Sequence, residues 1–442
     1  MGETIFALSS GAVPAGVAVI RLSGPGVRFG LETLAGSVPP ARLATLCAIR
    51  DTDGVVLDKG LALFFPGPNS FTGEDVAEFQ IHGSPASVQA VLRTLGRLEG
   101  FRSAEPGEFT RQAFANGKMD LTEVEGLSDL LLAETEAQRR QALSQAGGSL
   151  RTIYQDWARR ITHARAMIEA ELDFSDEDDI PGSVSDQIWS DMGSMLEEIR
   201  DHLKTASYGE IVRSGFKVAL VGPPNAGKSS LLNCLAEREA AIVSEIPGTT
   251  RDIVEVRMDL NGYLVTLQDT AGLREDSEDA IELEGMRRSR AAAENADLVL
   301  DLREVSGTAT GHDPTLGEKA IRIRSKIDNL PDSGMTIQTD GAEIGISSVT
   351  GSGIDRLIAA ISERLVSLQP QESESVPTRS RHKVLLEKAC EEIEIAVGGG
   401  DTPIEVRAEN LRRAGDDIGR ITGKVDVEDL LGVIFAEFCV GK

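Results

Sequence analysis

The chain has 442 residues, of which 45 are Lys or Arg and 71 are Asp or Glu, so its formal net charge is −26 at pH 7. This length corresponds to about three domains, and a composition of 41% hydrophobic and 26% charged residues is typical of a globular chain rather than a disordered one. The acidic balance disfavours tight, non-specific binding to nucleic-acid phosphates or to anionic membrane surfaces, so local basic patches or a partner must supply the affinity for any nucleic acid.

The first 117 residues have the pattern of a compact α+β domain. Three short β-prone runs, 17–20, 61–65 and 76–81, lie between turn-forming glycines and prolines, which is typical of strands. Residues 86–98 have the spacing of a helix. We therefore expect a mixed sheet-and-helix domain in this part of the chain.

The next region predicts helices. Residues 121–172 follow a helical pattern almost without interruption, and Gly147-Gly148 is expected to divide them into two helices. A third helix is expected from 185 to 207. The second helix has one apolar face with steps of three and four, formed by Leu150, Ile153, Trp157, Ile161, Ala164 and Ile168.

Residues 216–366 instead alternate between strands and helices. The apolar runs 216–221, 263–268 and 297–302 predict strands, and the alternation predicts a parallel sheet with helices on both faces. A polar, proline-bounded linker follows at 369–377, after which the helical pattern returns. Helices on both sides of the α/β block indicate that it is inserted into one helical domain.

These patterns together predict a multidomain chain of α/β and α+β class, without an internal repeat. The N-terminal domain is expected to be α+β, the second domain helical, and the inserted domain α/β. The expected boundaries are 1–117 for the N-terminal domain, 118–213 with 376–442 for the helical domain, and 214–375 for the inserted domain.

The cysteines and the apolar runs indicate a cytoplasmic setting. Cys47, Cys234, Cys390 and Cys439 lie far apart, so no CxxC pair suggests zinc or a redox dithiol. Four thiols in a chain of this length do not form a disulfide framework, which favours a reducing compartment. No stretch approaches 18 apolar residues and the start of the chain lacks a signal-peptide pattern, so we expect no membrane segment and a cytoplasmic protein.

The most specific motif is a phosphate-binding loop at residues 222–229, Gly-Pro-Pro-Asn-Ala-Gly-Lys-Ser. It follows a predicted strand and precedes a predicted helix, the context in which G-x-x-x-x-G-K-[ST] cradles nucleotide phosphates. In this arrangement Lys228 reaches the β/γ-phosphates and the Ser229 hydroxyl is a Mg²⁺ ligand. The alternative, a glycine-rich turn without a ligand, is disfavoured by the strand–loop–helix context.

Two further motifs follow in the order expected of a nucleotide-hydrolysing domain. Residues 247–252, Pro-Gly-Thr-Thr-Arg-Asp, provide a threonine that can reach Mg²⁺ and the γ-phosphate. Residues 269–272, Asp-Thr-Ala-Gly, end a predicted strand, where Asp269 can support the Mg²⁺ shell and the Gly272 amide can contact the γ-phosphate. Each motif alone could be an ordinary turn, but their order after the loop indicates a nucleotide switch.

Together these residues resemble the translation-factor-like class of P-loop GTPases. The guanine-reading Asn-Lys-x-Asp motif of that class corresponds to residues 325–328, Ser-Lys-Ile-Asp. Asp328 can accept hydrogen bonds from guanine N1 and N2, whereas Ser325 replaces the usual asparagine and shortens or loses one polar contact. Ser347 and Ser348 match the segment of that class that contacts the base.

The residue after the Asp-Thr-Ala-Gly motif departs from small Ras-like GTPases. Those proteins place a water-orienting glutamine there, whereas this chain has Leu273. Hydrolysis must therefore use another group. Residues 275–284 offer many carboxylates, for most of which the alternative of a solvated acidic loop is the better interpretation.

Over its whole length the chain resembles the family of tRNA modification GTPases called MnmE or TrmE. Four matching runs lie in or next to the N-terminal domain, and the last five residues match the family's Cys-x-Gly-Lys terminus. Matches at both ends are far more specific than a P-loop alone. The matching residues are 18–24, 71–75, 105–110, 114–121 and 438–442.

The resemblance implies a GTPase that works with the FAD-dependent partner MnmG. Together such proteins add an aminomethyl or carboxymethylaminomethyl group to C5 of the wobble uridine, U34, of certain tRNAs. The one-carbon unit comes from a tetrahydrofolate derivative, 5-formyl- or methylene-tetrahydrofolate. The implied fold is an N-terminal folate-binding-like and dimerisation domain, a helical domain, and a Ras-like P-loop G domain inserted into the helical domain.

The resemblance also implies an assembly and a cation. The G domains of the family dimerise across their nucleotide faces, and K⁺ there takes the place of an arginine finger. The implied assembly is a homodimer that joins MnmG in a heterotetramer, binds tRNA, and uses no membrane.

A full nucleotide site can be carried over from the family onto this sequence. The Mg²⁺ ligands that the resemblance implies are Ser229 and Thr250. The K⁺ ligands that it implies are Asn225, Ser244, Ile246 and Thr249. The GTP-binding residues that it implies are Asn225, Ala226, Gly227, Lys228, Ser229, Ser230, Ser244, Glu245, Ile246, Pro247, Gly248, Thr249, Thr250, Asp269, Thr270, Ala271, Gly272, Ser325, Lys326, Asp328, Ser347 and Ser348.

Two side chains are implied to be catalytic. Glu282 matches the glutamate that orients the attacking water in the family, for which the alternative is a solvated surface carboxylate. Cys439 lies in the terminal tail, where a thiol near a one-carbon donor could act as a nucleophile or redox group. Its alternative is a thiol with a packing role.

The resemblance places a folate pocket in the N-terminal domain. Arg21, Glu78 and Lys118 match its residues, and Lys442 with its terminal carboxylate matches the tail that approaches it. A carboxylate can accept from the pterin N–H edge while Arg and Lys pair with negative or carbonyl groups. Without the family, each residue would be interpreted as a surface charge.

Two other functions share part of these motifs. A GTPase of ribosome assembly would have the same P-loop and the same 247–252 and 269–272 motifs, but rRNA binding usually comes with a basic appended domain. A structural chain with a vestigial nucleotide site is disfavoured by the intact Lys228, Ser229, Thr250 and Asp269. The long N-terminal domain and the Cys-Val-Gly-Lys terminus favour tRNA modification.

Overall fold

The computed structural model of the chain describes residues 2–173, 184–238, 254–269, 291–306, 314–330, 343–370, 375–398 and 402–425, with Leu431, Ile434, Phe435, Phe438 and Gly441. The chain divides into two compact units. The first consists of Met1–Ser128, Gln145–Met192 and Glu391–Lys442, and the second of Asp129–Ser144 and Gly193–Cys390. The three-domain division expected from the sequence is finer than these units and stays a prediction.

The first unit begins with a mixed α+β region, as the sequence predicts. Its elements are β1 (Thr4–Leu8), β2 (Ala15–Ser23), α1 (Val27–Ala35), β3 (Thr45–Arg50), β4 (Val56–Phe65), β5 (Val76–Gly83), α2 (Pro85–Leu95), β6 (Phe101–Ser103) and α3 (Glu108–Ala115). Within the described residues the strand order is β3-β4-β5-β2-β1-β6. Neighbouring strands are antiparallel except β1 and β6, which are parallel. The three predicted strands correspond to β2, β4 and β5, whereas β1, β3 and β6 were not predicted.

Alternation along β2 explains how the sheet buries a core on one face. Ala18, Ile20 and Leu22 are fully buried in a cluster that includes residues of α1 and α2. Arg21 and Ser23, which alternate with them, point to the opposite face. That face carries a smaller apolar cluster of Ile5, Ala7, Ala104 and Phe109.

The predicted helical region forms five helices within the described residues. They are α4 (Leu121–Leu132), α5 (Glu136–Ala146), α6 (Ser149–Asp173), α7 (Val184–Lys204) and α8 (Ala206–Ser214). The predicted break at Gly147-Gly148 is confirmed. The helix expected to continue to residue 207 instead ends at Lys204, and α8 begins directly afterwards.

A second break, before α5, was missed from the sequence. The Gln138 side chain accepts hydrogen bonds from the amides of Glu134 and Thr135, at 2.9 and 3.2 Å. Residues 135–138 are Thr-Glu-Ala-Gln, the T-x-x-Q pattern of a capping box. Because these bonds satisfy amides that a continuous helix would bond internally, a new helix begins here.

The apolar face of α6 is close to the predicted one. Its buried residues are Leu150, Tyr154, Trp157, Ile161, Ala164 and Ile168. Ile153, which the sequence analysis placed on this face, is half-buried, and Tyr154 occupies the stripe instead. The buried positions of α6 are therefore separated by alternating steps of four and three residues from Leu150 to Ile168.

The second unit contains an α/β region. Its elements are β7 (Phe216–Val221), α9 (Lys228–Arg238), β8 (Val254–Leu260), β9 (Tyr263–Asp269), β10 (Leu298–Glu304), β11 (Ala320–Ser325), β12 (Glu343–Gly345) and α10 (Ile354–Ser367). Within the described residues the strand order is β12-β11-β10-β7-β9-β8. Neighbouring strands are parallel, as predicted, except β8 and β9.

The antiparallel β8–β9 pair corrects the prediction of a wholly parallel sheet. Asn261 and Gly262 alone connect the two strands, with φ of 53° and 85°. A two-residue Asn-Gly connection with both φ values positive is a hairpin turn, and a connection this short can join only antiparallel strands.

The chain enters and leaves the α/β region at neighbouring points. Arg213 Nε, in the last turn of α8, donates to the Thr378 carbonyl at 2.9 Å. Gly209 packs so closely on the returning chain that a Cβ there would lie 2.2 Å from the Pro377 carbonyl oxygen. Such adjacency is what a segment inserted between two helices requires.

Two helices follow the α/β region, α11 (Ser380–Gly398) and α12 (Ile404–Thr422). Within the first unit α12 packs along α6, where Gly415 faces the Ile161 side chain. Among the described residues, no helix combines the length and the apolar character needed to cross a membrane.

Candidate functional site

The P-loop connects β7 to α9 in a conformation that needs its glycines. A Cβ on Gly222, whose φ is 148°, would lie 2.3 Å from the Leu302 carbonyl oxygen. Asn225 and Gly227 also have positive φ, 65° and 90°. Backbone of this kind turns successive amides toward one side of the loop, and the N-terminal end of α9 adds partial positive charge there. The loop is therefore built to receive an anion.

Lys228 lies against the loop to which it belongs. Its side chain is buried, and Nζ donates to the carbonyl oxygens of Gly222 and Pro223 at 2.9 and 3.0 Å. Asn225, Ser229 and Ser230 are exposed. The loop thus holds a positive charge beside exposed polar side chains, which is the arrangement that phosphates require.

Ser325 contacts the P-loop. It is 3% exposed, and its Oγ donates to the Ala226 carbonyl at 2.6 Å, with the Arg303 carbonyl oxygen 3.3 Å away. From the sequence, this residue is expected to have a shortened or lost polar contact with the base. The structure shows that its hydroxyl is used to hold the P-loop against the end of β11.

Lys326 and Asp328 follow, with Lys326 directly before the short 3₁₀ segment Ile327–Asn329 and Asp328 within it. Lys326 has φ of 58°, and its Nζ lies 3.0 Å from Glu304 Oε2 at the end of β10. Hydrogen bonds from Lys326, then from the Ser306 hydroxyl, lower the pKa of Glu304. Asp328 is exposed, so its carboxylate is accessible to a ligand.

The 347–348 loop lies beside this segment. The Ile327 amide donates to the Ile346 carbonyl at 3.2 Å, which joins the two loops. Ser347 is fully buried, and its Oγ accepts from the Thr350 amide at 3.1 Å. Ser348 is half-buried. Ser347 thus stabilises its own turn, and Ser348 is the more accessible of the two.

Asp269 is the last residue of β9. Its backbone pairs with Leu220 at the end of β7, directly before the P-loop. The other predicted site residues lie outside the described residues and are not placed here: Ser244, Glu245, Ile246, Pro247, Gly248, Thr249, Thr250, Thr270, Ala271, Gly272, Glu282, Cys439 and Lys442.

Arg21 and Glu78 form an ion pair across β2 and β5. Arg21 Nε and Nη2 both donate to Glu78 Oε1, at 3.1 and 3.0 Å, and each side chain is 17% exposed. The guanidinium carbon lies 5.6 Å from the ring centroid of Phe71 and 5.8 Å from that of Phe109. Because both donations use Oε1, the pair leaves Oε2 to other contacts.

The loop between β4 and β5 brings Lys118 to the same part of the domain. Lys118 Nζ donates to the Pro68 carbonyl at 3.0 Å, and Asn116 Nδ2 donates to the Thr72 carbonyl at 2.7 Å. Phe71, beside Arg21, belongs to this loop. Three of the four predicted folate residues therefore lie around one loop. The sequence analysis gave no role to the two aromatic neighbours, although Phe71 stands in the 71–75 run that it singled out.

The C-terminal end of the chain packs against the N-terminal sheet within the first unit. Ser9 Oγ donates to the Gly441 carbonyl at 2.7 Å, and a Cβ on Gly441 would lie 2.2 Å from the Leu8 carbonyl oxygen. On the neighbouring position of β1, Ala7 pairs with Arg21. The residue before Lys442 thus lies one strand away from the Arg21–Glu78 pair.

Comparisons with known proteins match the whole chain. The family model described as MnmE helical domain matches residues 121–439, and the one described as GTP-binding protein TrmE N-terminus matches residues 4–118. The tRNA modification GTPase MnmE of Rhizobium etli (strain CIAT 652) is 52% identical over 442 residues, covering 100% of this chain and 99% of that protein. The protein of the same description from Sinorhizobium medicae (strain WSM419) is 52% identical over 443 residues, with the same coverage.

Solved structures match less of the chain. The crystal structure of a single-residue variant of Aquifex aeolicus Era bound to GDP·AlF4− is 26% identical and covers 39% of this chain and 66% of that chain. Its TM-score is 0.27, which is too low to support a conclusion about this chain.

Proposed function

This chain belongs to the MnmE (TrmE) family of tRNA modification GTPases, and we propose that it uses GTP hydrolysis to drive modification of the wobble uridine, U34, of certain tRNAs. The FAD-dependent protein MnmG is the proposed partner in this reaction. The product carries an aminomethyl or carboxymethylaminomethyl group at C5, and a tetrahydrofolate derivative, 5-formyl- or methylene-tetrahydrofolate, provides the one-carbon unit.

The observation that carries this proposal is the Arg21–Glu78 ion pair. A P-loop is common to all P-loop GTPases and therefore does not distinguish one function from another. The Arg21–Glu78 ion pair lies beside the rings of Phe71 and Phe109, on a different sheet, and provides a second site. Aromatic rings and charge-assisted hydrogen bonds suit a flat, polar heterocycle. A GTPase that only regulates assembly has no use for such a site.

The P-loop residues fit a nucleotide with its cations. Positive φ at Asn225 and Gly227 and the buried Lys228 support phosphate binding. The residues proposed to hold Mg²⁺ are Ser229 and Thr250. Those proposed to hold K⁺ are Asn225, Ser244, Ile246 and Thr249. These cations, when bound, would neutralise charge that develops on the phosphates.

Within the nucleotide site, Glu282 is the proposed residue that orients the attacking water, because Leu273 cannot do so. Asp328 is proposed to read guanine through its exposed carboxylate. Ser325 then supports the P-loop rather than the base.

In the N-terminal domain, Arg21, Glu78 and Lys118 are the proposed folate contacts, and Lys442 is proposed to approach them from the tail. The position of Gly441 beside Leu8 supports this part of the proposal. Cys439, two residues earlier, is a candidate nucleophile or redox group.

The proposed assembly is a homodimer whose G domains pair across their nucleotide faces, joined by MnmG in a heterotetramer that binds tRNA. With a net charge of −26, the chain needs a partner or local basic patches for its affinity for tRNA. A cytoplasmic location stays a prediction that follows from the tRNA substrate.

Titration of the intact chain with 5-formyl-tetrahydrofolate tests the folate part of the proposal. We expect Arg21→Ala to weaken binding at least about tenfold, because charge-assisted hydrogen bonds contribute about 1.5–3 kcal/mol. Arg28→Ala is the matched control, since Arg28 forms an exposed ion pair with Asp75 in the same domain. Equal affinity in the Arg21→Ala and Arg28→Ala variants would remove the pocket from the proposal.

Reconstitution tests the reaction itself. Purified chain, MnmG, tRNA, GTP and the folate should yield modified U34, and Lys228→Ala should abolish it. A chain that hydrolyses GTP and binds folate but never supports modification would favour the ribosome-assembly alternative.

A further inference from the structure

The β8–β9 hairpin connects two nucleotide motifs. β8 begins at Val254, shortly after Thr250 in sequence, and β9 ends at Asp269, the first residue of the Asp-Thr-Ala-Gly motif. The two strands pair along their whole length, from Val254–Asp269 to Leu260–Tyr263. Strands of this length span about 20 Å. A fully paired ladder moves as one body, so a displacement at the nucleotide end also displaces the turn.

The turn of this hairpin contacts the start of α5. The Gly262 carbonyl accepts a hydrogen bond from the Ala137 amide at 2.9 Å. The amides of a first helical turn have no partner inside the helix, so this carbonyl satisfies one of them. Arg257 Nη1, on β8, donates to Glu134 Oε1 at 2.7 Å, with both side chains little more than a quarter exposed.

α5 also contacts the helix that leads into the P-loop strand. Gln138 Nε2 donates to the Arg213 carbonyl and Gln141 Nε2 donates to the Gly209 carbonyl, each at 3.1 Å. The hydroxyl groups of Tyr208, on α8, and Tyr263, at the start of β9, are 3.0 Å apart. The start of α5 therefore touches both the hairpin between the switch motifs and the helix before β7.

α5 itself has little apolar packing to hold it. Its buried side chains are Gln138, Ala142 and Gln145, of which only one is apolar, and Leu143 is half exposed. An element held mainly by hydrogen bonds to its neighbours opens at low cost. Its local stability therefore responds to small changes in those neighbours.

We propose that these residues form a coupling contact, the α5 contact, made of Glu134 and Ala137 on one side and Arg257 and Gly262 on the other. Through it the nucleotide at the P-loop changes the local stability of α5. Coupling between two sites is reciprocal. A binding partner that stabilises α5 should therefore change the ratio of GTP to GDP affinity by the same factor by which the nucleotide changes the affinity for that partner. The inference rests on GTP binding alone and not on the proposed folate or tRNA chemistry.

Amide hydrogen exchange of the full chain tests this coupling. Exchange in residues 136–146 is compared between GDP and a non-hydrolysable GTP analogue, each at saturation. We expect a difference of about fivefold, the lower range of allosteric coupling. Arg257→Glu should abolish that difference. Arg257→Glu combined with Glu134→Arg should restore it, because the ion pair then forms with its two charges exchanged.

Two controls separate coupling from general damage. Arg238→Glu breaks a different ion pair of the same unit, the one with Asp355 at 2.6 Å, and should leave the nucleotide-dependent difference intact. Tyr263→Phe removes a hydroxyl of the same hairpin that meets Tyr208 of α8 rather than α5, and it should also leave the difference intact.

Two results would overturn the proposal. The first is an exchange rate in 136–146 that is the same in both nucleotide states of the unmodified chain. The second is a difference that survives in Arg257→Glu. Because the experiment contains no tRNA, folate or MnmG, neither result depends on the proposed function.

Discussion

Ser325 holds a part of the nucleotide site that an asparagine holds in related motifs. Its hydroxyl donates to the Ala226 carbonyl from a buried position, and the next residue, Lys326, bonds Glu304. A serine side chain is too short to contact the P-loop and a base at the same time. We therefore propose that guanine selectivity in this chain depends on Asp328, while Ser325 positions the P-loop through the Ala226 carbonyl.

The variant Ser325→Ala separates these two roles. Removing the hydroxyl leaves the buried Ala226 carbonyl without its donor, at a cost of about 1–3 kcal/mol. We expect both GDP and GTP affinity to fall about tenfold, with an unchanged ratio of guanine to xanthine nucleotide affinity. Titration with GDP and with xanthosine diphosphate measures both quantities.

The comparison variant is Asp328→Asn, which should instead favour xanthine nucleotides over guanine nucleotides. The interpretation of Ser325 would be wrong if Ser325→Ala changed the guanine-to-xanthine ratio, or if it left both affinities unaltered.

At the scale of elements, His202 in the last turn of α7 and His382 in the first turn of α11 form an interacting pair. His202 is 9% exposed and His382 is fully buried. Burial lowers the pKa of His202 to about 4, and the charge of His382 adds to that lowering. His202 therefore binds a proton near pH 6.5 in the unfolded chain but only near pH 4 in the folded chain.

This difference predicts a loss of stability in mild acid. Above about pH 6.5 neither state binds the proton, so the free energy of unfolding is constant in this respect. Between about pH 6.5 and pH 4 only the unfolded state binds it, so stability falls as pH falls, by about 2 kcal/mol from pH 7.5 to pH 5.

Urea unfolding at the two pH values measures this change. His202→Gln should show a smaller pH dependence, and the exposed His163→Gln is the matched control. An unchanged pH dependence in His202→Gln would show that this histidine does not cause the acid sensitivity.

The elements also show which parts of the fold can be predicted from sequence. The P-loop, β7 and α9 were predicted because their signals lie in consecutive residues. The break before α5 was missed although residues 135–138 spell a capping box, because the residues on both sides are good helix formers and no glycine or proline marks the break. The antiparallel pairing of β8 with β9 was not predicted, because the Asn261-Gly262 dipeptide was not interpreted as a hairpin turn.

Long-range pairings could not be predicted from local pattern. Arg21 meets Glu78 because β2 and β5 pair in one particular register, and register depends on the whole sheet. The Gly441 carbonyl meets Ser9 across 432 positions of sequence. Arg21 and Glu78 were named only through the family resemblance, and their grouping with Lys118 around one loop became visible in the structure.

At the scale of the whole molecule, the α/β region is expected to be separable. Arg213 and Gly209 before it contact Thr378 and Pro377 after it, so its removal leaves two ends that are already adjacent. Deleting residues 216–366 should therefore leave a folded protein, and we expect it to be dimeric because dimerisation is proposed for the N-terminal domain. Calorimetry should find one cooperative transition, and sedimentation should find a dimer.

The outcome that contradicts the insertion is collapse of this shortened chain into an aggregated or non-cooperative state. Replacement of residues 369–374 by glycine and serine, which keeps the buried Val376 and Pro377 in place, should preserve the complete fold and controls for damage at the junction.

Steady-state GTP hydrolysis by the purified chain, in KCl and in NaCl with ATP as control nucleotide, tests the proposed K⁺-dependent GTPase. Asn225 is exposed on a P-loop with positive φ, and Leu273 occupies the position of the water-orienting glutamine. We expect rapid turnover of GTP in K⁺ only, with ATP inert in both salts. Equal, slow turnover in both salts would contradict the ion site at Asn225, the role of Glu282 and the pairing of G domains together.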